Sequence, residues 1–184
     1  MNIEILAPEI HQANVDAGWW SDLNTGARIE RNVGELLMLA VTEIREAREG
    51  FAFGHQDDHL PDRSMFEVEL ADAAIRLLDM VGGLGLTQKV SAYATEFENM
   101  TRFKAVETIL FDIVDALATA MEHHRKGRTD EMASNLARAL VIIEQLSVYC
   151  DFDLMEVISE KRAYNANRAD HKPENRIKAG GKRV

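Results

Sequence analysis

Glu43-Ile44-Arg45-Glu46 is answered, after an interval of 22 residues, by Glu69-Leu70-Ala71-Asp72. Each acidic pair is spaced i, i+3, which on a helix puts two carboxylates on neighbouring parts of one face. Around the first pair, Val33, Leu36, Leu37, Ala40, Val41, Ile44 and Ala47 recur at helical spacing, so residues 33–49 read as an amphipathic helix. Around the second, Leu70, Ala71, Ala74, Leu77, Leu78 and Val81 do the same over residues 65–82. If these helices pack side by side, four carboxylates converge. Such a cluster repels itself unless protons or cations offset it, and oxygen-loving cations such as Mg²⁺ suit it. Periodicity alone favours a plainer reading. Glu69, Asp72, Arg76 and Asp79 also fit a solvated face, with Asp72 and Arg76 as an i, i+4 surface ion pair.

Between the two helices, residues 50–64 read as a loop. Gly50 is placed as a helix stop, and Ser64 with Glu67 as a capping box opening the next helix. His55, Asp57, Asp58 and His59 in that loop are read as an exposed polar cluster rather than a metal site. Upstream, residues 3–17 form a first helix ended by Gly18, and Trp19-Trp20 follow as core or interface anchors. Downstream, residues 87–100 read as a helix or bent connection. Residues 103–124 and 129–150 give a second hairpin, and 154–168 a last helix. The expected fold is all-α: a catalytic hairpin over 33–82, a second hairpin over 103–150, and terminal helices, in one domain spanning 1–168. A basic irregular tail occupies 169–184.

The second hairpin echoes the first. Asn135-Leu136-Ala137-Arg138 aligns with Glu69-Leu70-Ala71-Asp72, so the apolar positions match while the acids do not. Asp115 falls near the place of Glu43. This fits a decayed internal repeat, although any two amphipathic helices share part of such a pattern.

Composition sets limits. The 184 residues are 46% hydrophobic and contain no apolar run long enough to span a membrane. Net charge is −10; residues 161–184 hold eight Lys/Arg against two acids (+6), and residues 1–160 hold 13 against 29 (−16). A body this acidic argues against nucleic-acid binding. With no secretory leader pattern and a single cysteine, Cys150, a cytoplasmic location is expected. Glu-x-x-His pairs for a di-iron bundle are absent, as is a P-loop, and zinc would want more Cys and His.

The ordered set of motifs resembles the MazG-like all-α nucleoside triphosphate pyrophosphohydrolases, which are related to dimeric dUTPases. Glu43-x-x-Glu46 and Glu69-x-x-Asp72 are followed by Lys161-x-x-x-Asn165-x-x-Arg168. His11-Gln-Ala-Asn14, Gly18-Trp19-Trp20 and Asp58-His-Leu-Pro-Asp62-Arg63 carry it further. The resemblance implies Mg²⁺ (with Mn²⁺ as substitute) held by Glu43, Glu46, Glu69 and Asp72. It implies cleavage of (deoxy)nucleoside triphosphates between the α and β phosphates. Glu46, or Glu43, would activate the water, with Glu49 a weaker candidate. Lys161 and Arg168 would meet phosphate, Asn165 sugar or base, and His11, Asn14 and Trp20 would line the base end. A homodimer is also implied. The chain departs from the pattern in the intervening second hairpin and in Ala169, where proline often stands. The alternative is a non-catalytic helical module of the same fold.

Overall fold

The structure is a computed structural model that describes residues 1–97, 101 and 104–178. The chain is all-helical, and the starts of four helices follow from a side-chain cap. Helix α1 (Ile3–Asp16) begins where Asn2 accepts from the Ile5 amide. Helix α2 (Val33–Phe53) begins where Asn32 accepts from Glu35 N–H. Helix α3 (Met65–Gly83) begins at Ser64, whose hydroxyl accepts from the Glu67 amide as the sequence predicts. Helices α4 (Thr87–Ala94), α5 (Val106–Arg125) and α6 (Thr129–Tyr149) follow, then α7 (Leu154–Asn167), capped by Asp153. Beyond Asn167, where the sequence reads as irregular, a 3-10 turn covers Ala169–His171 and a one-turn helix, α8, covers Pro173–Arg176. No helix among the described residues is long and apolar enough to cross a membrane.

Helices α2 and α3 form one antiparallel hairpin, α5 and α6 the other, and the hairpins pack together through α2 on α5 and α3 on α6. Helix α3 lies at the centre, touching α1, α2, α4, α6 and α7. Its apolar stripe (Leu70, Ala71, Ala74, Leu77, Leu78, Val81) is sealed in the core. The opposite, acidic side is covered too. Glu69 and Asp79 are buried, which corrects the solvated-face reading: α1 and α7 lie over a surface that periodicity alone assigns to water.

Gly50 does not stop α2. The helix runs on to Phe53 and ends at Gly54, whose φ of 67° lies in the left-handed region. Gly50 answers a different demand: a Cβ there would sit 2.6 Å from the Phe66 backbone nitrogen, so only glycine lets α2 and α3 approach this closely. In the second hairpin, Arg138 pairs with Asp115 at 3.2 Å and Asn135 bonds back to the Glu131 carbonyl. The positions corresponding to the acids are thus neutralised by an ion pair between α5 and α6.

Candidate metal centre and the cavity beside it

Helix α2 brings Glu43, and α3 brings Glu69 and Asp72. One carboxylate oxygen from each lies within 4.8 Å of the others. Glu43 and Glu69 are 6% and 8% exposed, and the Asp72 side chain 18%. Three acids in so small and dry a volume disfavour their own ionisation. Burial, then the charges of Asp72 and Glu43, push the Glu69 carboxyl up to about 9. Burial pushes Asp72 up to about 6 against the opposing pull of Lys161. Two cations offset the cluster. Arg76, one turn beyond Asp72, donates through Nε to Glu43. Lys161 of α7, buried, places Nζ 3.0 Å from Asp72 Oδ2.

Glu46 is not part of this cluster. It sits one turn further along α2, 38% exposed at its side chain, beside Arg45, which pairs more closely with Glu49. Of the four acids expected at the metal, the structure brings three together and leaves the fourth at the margin.

A cavity of ≈130 Å³ opens beside the cluster. Asp72, Ile75, Arg76 and Asp79 of α3 form its floor, Leu36 and Leu39 of α2 one side, and Asn165 of α7 with Arg168 just beyond that helix another. Asn14, Trp19, Arg31 and His171 complete the wall. Three residues expected at a substrate (Asn14, Asn165, Arg168) therefore meet around one space. Asn165 Oδ1 is buried with no hydrogen-bond partner, an acceptor awaiting a donor. Arg168 makes a two-pronged contact with Asp170, at 2.9 and 2.7 Å.

The other three expected residues are placed differently. Trp20, 3% exposed, donates its Nε1–H to Asp79 Oδ1 at 2.9 Å, and His11 Nδ1 lies 2.9 Å from the same oxygen. Both brace Asp79 from behind the wall, their rings meeting edge to face at 4.8 Å. Burial raises the Asp79 carboxyl's pKa, opposed by the bonds from His11, Asn14 and Trp20. Lys161 lies beneath Asp72 and forms no part of the wall.

Sequence reasoning missed Trp19, Arg31, Arg76, Asp79 and His171 as lining residues. Arg76 and Asp79 were legible in principle, since they share a side of α3 with the acids. Trp19, Arg31 and His171 lie outside the long helices, where no periodicity marks them. The chain beyond α7 is drawn over Trp19: Arg176 stacks on that ring at 3.4 Å, and His171 meets its edge at 5.3 Å. Helix α7 is itself braced by Arg63, which forks onto Glu160 at 2.9 and 2.8 Å and reaches Glu156 at 2.6 Å.

Compared with family models, curated proteins and solved structures, the chain matches none. Its chemistry is therefore read from the arrangement itself. Clustered carboxylates suit a hard divalent cation. A neighbouring space walled by guanidinium groups, an aromatic ring and an unsatisfied amide oxygen suits an anionic, partly aromatic ligand.

Proposed function

We propose that this chain is a Mg²⁺-dependent nucleoside triphosphate pyrophosphohydrolase, releasing a nucleoside monophosphate and pyrophosphate. The observation that carries the reading is the convergence of Glu43, Glu69 and Asp72 beside a guanidinium-walled cavity, in a chain whose motif order resembles that enzyme family. The donor set fits the ion: three carboxylates and no sulfur or imidazole favour Mg²⁺ or Mn²⁺ over zinc. Bound there, the ion supplies positive charge for phosphate oxygens and lowers the pKa of a water.

The chain's own residues have separate tasks. Glu46, partly exposed and one turn from Glu43, takes a proton from the attacking water in this reading. Arg168 holds phosphate oxygens after giving up Asp170. Asn165 Oδ1 accepts a hydrogen bond from a sugar hydroxyl or a base amine. His11 and Trp20 keep Asp79 fixed in the wall at the nucleoside end. Met38 on α2 and Phe111 on α5 remain 61% and 69% exposed, apolar surface of the kind a homodimer covers.

A second reading has one observation in its favour. Arg76 on Glu43 and Lys161 on Asp72 already offset much of the acidic charge, as in a structural ion network of a non-catalytic helical module. The experiment that separates them is pyrophosphate release from a panel of NTPs and dNTPs, with and without Mg²⁺. Mg²⁺-dependent pyrophosphate from any member supports the enzyme. No release from any, together with no Mn²⁺ uptake by calorimetry, rejects it.

A further inference from the structure

Lys161 and Arg76 both touch the carboxylate cluster, but they differ in what else they can reach. Lys161 has a side chain 2% exposed and is enclosed behind Asp72, so it cannot meet a phosphate chain unless α7 moves. Arg76 has a side chain 39% exposed and forms part of the cavity wall with Asp72, Asn165 and Arg168. Its contact to Glu43 uses Nε, and the two Nη groups carry four further N–H donors. A guanidinium presents those donors in a planar fork that matches phosphate oxygens.

We propose that Arg76 is the principal polyphosphate contact of this site. It holds Glu43 as the structure stands, and turns its donors onto phosphate oxygens once a divalent cation shares the charge of Glu43. The inference rests on the nucleotide reading above and deepens it, setting Arg76 ahead of Arg168 at the phosphates and in the place the sequence pattern assigns to Lys161. The electrostatics run in that direction. A cation at the cluster weakens the attraction of Glu43 for Arg76 and repels the guanidinium, while the incoming phosphates attract it. Lys161 stays in place as the counter-charge of Asp72.

The test is titration calorimetry on wild type, Arg76→Gln and Arg76→Lys, using Mn²⁺ alone and then an α,β-methylene nucleoside triphosphate at saturating Mn²⁺. Arg76→Gln is expected to bind Mn²⁺ alone as tightly as wild type or more so, because a competitor for Glu43 is gone. Its nucleotide affinity is expected to fall about tenfold or more. Arg76→Lys, keeping the charge but not the fork, is expected to lose about threefold. Nucleotide affinity of Arg76→Gln within about twofold of wild type overturns the inference while leaving the enzyme reading intact. Equal losses for Mn²⁺ and nucleotide also overturn it, since Arg76 would then merely order Glu43. If Arg76→Gln does not fold, Arg76→Lys decides alone, an undiminished affinity overturning the proposal. A wild type that binds no nucleotide with Mn²⁺ removes both readings.

Discussion

Replacing Glu69 with glutamine should stabilise the protein, increasingly so as pH rises. Burial and neighbouring charge lift the Glu69 carboxyl from 4.5 to about 9 in the folded chain. The folded state therefore keeps this proton at pH values where the unfolded chain has lost it, and wild-type stability drains away as pH rises from about 4.5 toward about 9. At pH 8, about 3.5 units above the unfolded value of 4.5, the wild type has lost at most about 5 kcal/mol of that stability, at ~1.4 kcal/mol per unit. Water entering from the adjacent cavity and movement of Arg76 reduce this, so about 2 kcal/mol is the working figure. Glutamine has no proton to lose, and its amide can donate to Glu43 as the protonated carboxyl does. For a chain of this size, about 2 kcal/mol corresponds to roughly 4–8 °C in Tm. Thermal melts of wild type and Glu69→Gln in EDTA, from pH 4.5 to 8.5, read the effect directly. The two should coincide at the acid end and separate steadily above it, with the variant higher. A gap that stays constant with pH, or a variant less stable than wild type at pH 8, refutes the reasoning.

Adding Mg²⁺ at pH 8 should raise the Tm of wild type but scarcely that of Glu69→Gln, because ligand binding stabilises only a chain that holds it; equal shifts in both would place the ion elsewhere. Glu43→Gln and Asp72→Asn should both abolish pyrophosphate release, but their melting curves should diverge. Glu43→Gln leaves Arg76 free to turn to solvent, whereas Asp72→Asn strands the buried Lys161 charge and should cost about 3 kcal/mol. Arg63→Gln should raise KM several-fold with a smaller change in kcat, because it releases α7, which carries Asn165, from the loop between α2 and α3; an unchanged KM would show that α7 is held without it.

The hairpins, the order of the helices and the partnership of α2 with α3 could be read from apolar spacing, because each of those helices buries one broad stripe. Glu43, Glu69 and Asp72 stand out through the order of the acidic motifs along the chain, since periodicity alone favours a solvated face for Glu69 and Asp72. Glu46 was not separable from them, since the angle of α2 to α3, not the spacing, decides which acid faces inward. The burial of Glu69 and Asp79 escaped periodicity because α1 and α7 cover α3 from distant parts of the chain. Lys161 was given a phosphate contact through its motif, and a motif does not say on which side of Asp72 a lysine from α7 comes to lie. Gly50 was mistaken for a stop because a glycine demanded by a neighbouring backbone resembles one demanded by a turn.

That glycine lies two turns beyond Glu43, while Phe66, which it faces, lies one turn before Glu69. With the two main chains in near contact, the gap between opposing carboxylates is gauged by backbone rather than by side-chain choice. Were the proposed ion bound there, so close a frame would suit the short, about 2.0–2.1 Å bonds of Mg²⁺ better than the longer bonds and greater ligand number of Ca²⁺. A glycine in α2 would thus act as a spacer, setting the width between the much larger acids nearby.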